Sequence, residues 1–224
     1  MKVRASVRRI PPEPVSNPSC GSHQVLRRTV GAIRRERSPS MESTARASSA
    51  SLIAFDTTTH TVGDPPRDEE RLQQYLADRL ERVGAIAELV IPDAEALRPH
   101  PMIPDGFSFD GRPQLVARFP ARGEGRTLLL NGHVDVVSVE PRESWTSDPF
   151  TAVVEHETVR GRGACDMKGG VAAMVLAAET LAVLGVELAG ELIVNTVTEE
   201  ESTGAGGLAS ARSLAADGAI VPEP

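Results

Sequence analysis

The chain has 224 residues, of which 40% are hydrophobic, 25% charged and 3% aromatic, with a net charge of -7; this is the composition of a soluble globular protein whose core is built from Ala, Val, Leu and Ile. No apolar run approaches the ~18 residues of a membrane-spanning helix, and no apolar block marks a secretory signal, so no membrane partner is expected. The first forty residues carry nine Lys or Arg against two acids, which leaves 15 basic and 29 acidic residues from Met41 onward, and so acidic a body argues against nucleic-acid binding.

Residues 1–45 read as a disordered basic leader, rich in Pro, Ser and Arg ("RRIPPEPVSNPSCGSH", "RRERSPS") and without apolar period. An organelle transit peptide and a misplaced start, with Met41 the true first residue, are both open, and the Pro content favours the second. Cys20 and Cys165 make no disulfide framework, which fits a cytoplasmic setting.

From residue 67, "RDEERLQQYLADRLERVG" places Leu72, Leu76, Leu80 and Val83 at helical spacing with Gly84 as the stop. A strand over 85–91 follows, then a Pro-rich loop over 92–111, a strand over 114–119 and another, "TLLLNGHVDVV", over 127–137. Residues 151–160 predict a short hairpin, 169–185 a helix, 191–198 a buried strand, 206–218 a helix, and "AIVPEP" a last strand. This alternation predicts an α/β fold with a mostly parallel central sheet flanked by helices.

The polar residues fall at strand ends. His133 and Asp135 close one central strand, Asp166 follows a Gly-rich turn before a helix, Glu199 to Glu201 follow the next strand, and Glu223 the last. Open α/β sheets bind ligands along that edge. An imidazole among several carboxylates needs a compensating cation, and the His-plus-carboxylate set suits Zn²⁺ or a neighbouring transition ion. Because i and i+2 share a strand face, Asp135 is placed to accept a hydrogen bond from the ring nitrogen of His133 that faces away from a metal. Glu200 and Glu201 are adjacent, so one is suited to bind metal and the other to take a proton from water.

The turn "GRGACDMKGG" fails both phosphate-loop patterns: Asp166 stands where G-x-G-x-x-G needs Gly, and Lys168 precedes Gly169. Its glycines are expected to let the backbone turn sharply toward Asp166 and to open the helix with Gly169 and Gly170. Lys168 is expected to hold the turn, Cys165 to fill a gap as a buried thiol, and Trp145 to anchor packing. His60, His100 and His156 are expected at the surface, with His23 in the leader.

With these residues in view, the chain resembles the M20 metallopeptidase family, the group of acetylornithine deacetylase, succinyl-diaminopimelate desuccinylase, aminoacylase and the glutamate carboxypeptidases. The resemblance runs from about residue 50 to Pro224 on "NGHVDVV", "GRGACDMKGG", "TEEESTGAGG" and "IVPEP". It implies His133, Asp166, Glu201 and Glu223 as metal ligands, with Asp166 bridging two metals, Asp135 orienting His133, and Glu200 as general base. Two Zn²⁺ per site are implied, with Co²⁺ or Mn²⁺ possible. The implied activity is hydrolysis of an amide bond in a small N-acyl amino acid or peptide-like substrate. Glu199 stands where the family usually has Asp. The family also carries a lid or dimerisation domain, through which its members often form homodimers, and a later histidine ligand. Residues 46–224 are therefore expected to form the N-terminal part of the catalytic domain only, an incomplete zinc-peptidase-like fold. An inactive relic, or a non-catalytic metal- or ligand-binding protein, is the alternative, and nucleotide-dependent chemistry is disfavoured by the failed phosphate motifs.

Overall fold

A computed structural model describes residues 40–59, 61 and 63–224. Expectations for residues 1–39, His23 and His60 lie outside the described residues.

The first element is a helix that the pattern did not predict, α1 (Met41–Ile53), which takes in residues 41–45 assigned above to the leader. Ser40 caps it by accepting from the Ser43 N–H at 3.2 Å, and its Ala- and Ser-rich sequence buries its large apolar side chains, Leu52 and Ile53, only at the last turn. With so few apolar positions there is no period to read, and packing supplies the stability instead. The expected amphipathic helix is α2 (Glu69–Glu81), whose Leu72, Leu76 and Leu80 are fully buried.

Then come β1 (Ile86–Val90), the short α3 (Ala94–Leu97) within the Pro-rich stretch, β2 (Gln114–Phe119) and β3 (Leu128–His133). Asp93 starts α3 by accepting from the Glu95 N–H at 3.0 Å, which is why that loop holds a helical turn. A hairpin of β4 (Val153–Glu155) and β5 (Thr158–Arg160) precedes α4 (Lys168–Val183), β6 (Leu192–Val197), α5 (Glu200–Thr203), α6 (Ala205–Ser213) and β7 (Gly218–Ile220).

The main sheet has the order β1-β2-β6-β3-β7. β3 pairs in parallel with both β6 and β7, whereas β2 is antiparallel to β1 and β6. Strand direction is thus shared by four of the five strands, and β2 alone is reversed. β6 is buried along its whole length, as a strand covered on both faces is.

Neighbours in β2 point to opposite faces. Leu115 joins the main core, which gathers Leu72, Leu76 and Leu80 of α2, Val171 and Val175 of α4, and Val194 of β6. Gln114 faces α6, donating to the Gly206 carbonyl at 3.0 Å and accepting from Ser210 Oγ at 3.1 Å. A second cluster, including Leu97, Phe107, Phe109, Ala205 and Ala209, ties α3 to α6.

Polar groups inside the sheet are paired. Asn131 donates to Asn195 Oδ1 at 2.7 Å across the β3–β6 register, and Asn195 donates to the Leu115 carbonyl at 2.8 Å. Fully buried Gln73 of α2 donates to the Thr196 carbonyl at 2.9 Å and accepts from the Thr196 hydroxyl.

The strand expected over 127–137 ends its ladder at His133. Val134 N–H still donates to the Val197 carbonyl of β6 at 2.9 Å, and the backbone then pairs with a different segment: Val136 N–H donates to the Thr57 carbonyl at 3.0 Å, and Thr59 N–H to the Val136 carbonyl at 2.8 Å.

Candidate metal centre

The C-terminal ends of β3, β6 and β7 meet at one edge of the sheet because these strands are parallel. His133 closes β3 and is buried. Its Nδ1 lies 2.9 Å from the Asp135 carbonyl oxygen, an acceptor only, so Nδ1 carries the proton and donates. Nε2 then faces Asp166 Oδ1 at 3.0 Å, Glu223 Oε1 at 3.5 Å and Glu200 Oε2 at 3.8 Å. A neutral imidazole with its proton on Nδ1 presents a bare lone pair to these three carboxylates. Only a second proton or a cation resolves the conflict.

Without a cation the proton is held: burial alone pushes the His133 pKa down, but the hydrogen bonds and charge of Asp135, joined by Glu223, raise it from 6.5 to about 9. Ligand atoms of His133, Asp166 and Glu223 lie within 4.8 Å of one another. One nitrogen and carboxylate oxygens converging on a common point fit a divalent transition ion such as Zn²⁺. Asp166 and Glu223 remain open to solvent, so the centre sits at the bottom of an accessible edge.

Each side chain is delivered by a local device. Gly163, at φ +76°, turns the chain so that the Lys168 N–H donates to its carbonyl at 2.8 Å. Met167 is fully buried, its sulfur accepting from the His133 N–H at 3.2 Å. A Cβ on Gly132 would stand 2.8 Å from the Met167 methyl, so glycine there lets Met167 pass beneath β3 and leaves Asp166 beside His133. The Asp166–Met167 peptide is cis.

Lys168 does hold this turn: its buried ammonium donates to the Phe55 carbonyl at 2.7 Å, and burial lowers its pKa to about 8 against the pull of Asp56 and Asp68. Cys165 corrects the expectation of a buried thiol, since it is exposed; Met167 takes the inward place and Cys165 follows Asp166 outward. Glu223 reaches the site because α4 passes close to the last strand, where a Cβ on Gly170 would meet the Pro222 carbonyl oxygen at 2.5 Å.

Asp135 differs in detail from its expected part. Its backbone carbonyl accepts the hydrogen bond from His133 Nδ1–H, while its carboxylate Oδ1 is 3.6 Å from Nδ1 and its Oδ2 accepts from the Glu201 N–H at 2.9 Å. Asp135 therefore fixes both His133 and the turn carrying the acid pair. Oδ1 is buried and makes no hydrogen bond. Glu201 lies outside the tight group of three, but burial and the charges of Asp166, Asp135 and Glu200 raise its pKa while His133 lowers it. Burial, Asp166 and Glu200 likewise raise that of Glu223, again opposed by His133.

The sequence reading left Glu199 and Arg112 without parts. Glu199 is buried in the left-handed region at φ +64°, a conformation that costs a non-glycine residue about 1–2 kcal/mol. Its carboxylate accepts from Ser202 Oγ at 2.6 Å and pairs with buried Arg112 at 3.3 Å. A buried arginine 87 positions upstream of its partner leaves no mark in the local pattern. Among the other histidines, His100 is half-buried and accepts from the Met102 N–H at 3.4 Å, and His156 is exposed at a hairpin turn. Trp145 is half-buried, its Nε1 donating to the Val139 carbonyl at 2.9 Å beneath the Arg162 guanidinium.

Over 173 residues the chain is 33% identical to the N-formyl-4-amino-5-aminomethyl-2-methylpyrimidine deformylase of Halalkalibacterium halodurans, covering 77% of this chain and 36% of that protein. It is 45% identical over 103 residues to the succinyl-diaminopimelate desuccinylase of Stenotrophomonas maltophilia, covering 43% of this chain and 28% of the relative. The chain thus spans about a third of the length of the curated relatives it matches. Among solved structures, human carnosine dipeptidase 1 shares the fold with a TM-score of 0.64 at 20% identity, over 80% of this chain and 38% of that one. The stretch from β3 to the end, which carries every acid of the centre, matches over residues 129–224 the family model described as peptidase family M20/M25/M40.

Proposed function

We propose that this chain carries part of the catalytic centre of a metal-dependent amidohydrolase that cleaves the amide bond of a small N-acyl amino acid or peptide-like substrate, in the deacetylase and desuccinylase class. The observation that carries this reading is His133, whose Nδ1 is committed to Asp135 while Nε2 faces three carboxylates.

His133, Asp166, Glu201 and Glu223 are the residues that would hold the metal, two Zn²⁺ in this reading, with Co²⁺ or Mn²⁺ as substitutes. When bound, such ions polarise a carbonyl oxygen and make water acidic enough to be deprotonated near neutral pH. Glu200, half-open to solvent beside His133, is the general base: it takes the proton of the attacking water and returns it to the departing amine. Asp135 keeps His133 in one tautomer and fixes the backbone of Glu201, so that both halves of the acid pair are held. The reading includes a cytoplasmic setting and no membrane or nucleic-acid partner; among the described residues no helix is long and apolar enough to cross a membrane.

The test begins with chelated protein titrated with Zn²⁺ and Co²⁺, followed by assay of N-acetyl and N-succinyl amino acids. Stoichiometric binding with turnover that a chelator removes supports hydrolysis, and Glu200→Gln should then keep the metal and abolish turnover. Binding without turnover supports a metal- or ligand-binding role. No stoichiometric metal after reconstitution ends the reading.

A further inference from the structure

Glu200 and Glu201 stand in α5, a helix of four residues, too short to hold itself in water. What aims them must lie outside it. The residue before them, Glu199, occupies the left-handed region and is buried, so its side chain has to be held for the turn to persist.

We propose that Arg112 is the positioning residue of the acid pair, gripping Thr198 and Glu199 so that Glu200 and Glu201 are presented to the pocket around His133. The proposal rests on the metal-site reading given above.

Arg112 holds the turn with both side chain and backbone. Its guanidinium pairs with Glu199 at 3.3 Å and, from the same group, donates to the Ser108 carbonyl at 3.3 Å and the Asp64 carbonyl at 2.8 Å. Its own carbonyl accepts from Thr198 Oγ1 at 3.2 Å. Two residues on, Gln114 holds Gly206 and Ser210. The segment Arg112-Pro113-Gln114 therefore fastens the chain on both sides of the acid turn. An arginine suits the task because its planar fork reaches several acceptors at once and keeps its charge at any working pH. Ser202, donating to the other face of Glu199, and the Glu201 N–H donating to Asp135 complete the restraint.

The test uses the 224-residue chain loaded with Co²⁺, whose visible absorption reports ligand number and geometry. Arg112→Met should bind Co²⁺ about tenfold or more weakly, with an altered absorption band, and Arg112→Lys should recover part of the loss. Arg118→Met, which removes a half-exposed partner of Glu191, should leave affinity and spectrum as in the wild type. A double-mutant cycle separates positioning from general weakening: in a Glu201→Ala background, adding Arg112→Met should change the Kd by about threefold or less.

An unchanged spectrum and Kd in Arg112→Met, or a full loss that persists in the Glu201→Ala background, overturns the proposal while leaving the metal-site reading intact. Should Arg112→Met not fold, Glu199→Gln decides, since it keeps the shape and weakens the grip: an altered band supports the proposal and a wild-type band sinks it. A wild-type chain that binds no Co²⁺ brings down both.

Discussion

Gly206 offers the sharpest physical test of how α6 seats against the sheet. A Cβ built there would stand 1.9 Å from the Thr198 carbonyl oxygen and 3.0 Å from both Gln114 Nε2 and Val197 Cβ. The first of these is backbone, which cannot rotate away, so Gly206→Ala must push the start of α6 outward by about 1 Å or more. Overpacking of this kind costs about 1–3 kcal/mol. The same shift pulls the Gly206 carbonyl from Gln114 Nε2 and leaves a buried amide short of a partner, about 1–3 kcal/mol more. Alanine returns up to about 1 kcal/mol in helix propensity. The expected net loss is about 1–5 kcal/mol. Gly207 is the internal control, because a Cβ there meets nothing within 4 Å; Gly207→Ala should stabilise by about 0.5–1 kcal/mol. With a urea slope of about 2 kcal/mol/M, Gly206→Ala should lower the unfolding midpoint by about 0.5–2.5 M and Gly207→Ala should raise it slightly. Equal shifts for the two variants, or a Gly206→Ala midpoint at the wild-type value, would refute the close approach of α6 to β6.

Three further perturbations test other joints. Arg79 holds Glu179 through two hydrogen bonds, at 2.9 and 2.7 Å, and reaches Ser48 of α1 at 2.7 Å; Arg79→Met should cost about 2–3 kcal/mol and speed proteolysis within residues 41–53, and a wild-type cleavage rate there would detach α1 from this joint. Gln73→Leu leaves the Thr196 hydroxyl and carbonyl without their partner and should cost about 2–4 kcal/mol by urea unfolding, so a loss under about 0.5 kcal/mol would count against the α2–β6 bridge. In metal-free protein, His133 is raised from 6.5 to about 9, so its contribution to stability is full below pH 6.5 and lost as pH rises through about 9. Between pH 6.5 and 8 thermal melts of the chelated chain should therefore fall with rising pH, and calorimetry in buffers of different ionisation heat should show a proton released when Zn²⁺ binds. A flat melt profile with no proton release would mean that Nε2 is not the binding atom.

The sequence disclosed the chemistry of this edge more readily than its support. His133, Glu200 and Glu223 come together as their places after parallel strands imply, and Asp166 joins them from the Gly-rich turn before α4, because period-2 apolar runs and helical spacing are local signals of strand and helix. α1 was invisible, since its Ala and Ser residues show no apolar stripe and its place is set by packing against α4. Cys165 and Met167 were indistinguishable by composition, and the turn around Gly163 decided which of them faces inward. The reversal of β2 was equally hidden, because burial patterns carry no information on strand direction.

That reversal explains why acids and clamp share one edge. Parallel strands deliver only their C-terminal ends to the site, and here those ends carry His133 on β3, Glu200 and Glu201 after β6, and Glu223 after β7. An N-terminal strand end reaches the same edge only on a strand running the other way. β2 is antiparallel to β6, with Leu115 opposite Thr196, so the residues entering β2, Arg112 and Gln114, arrive beside the turn that follows β6. His133, the acid pair and Glu223 thus come from the parallel strands and Asp166 from the turn before α4, while the arginine that grips Glu199 comes from the antiparallel strand. Lengthening the connection before β2 should therefore loosen the acid pair without touching His133, and Co²⁺ absorption reads that distinction directly: a changed band with His133 still bound fits this division of labour, and a wild-type band contradicts it.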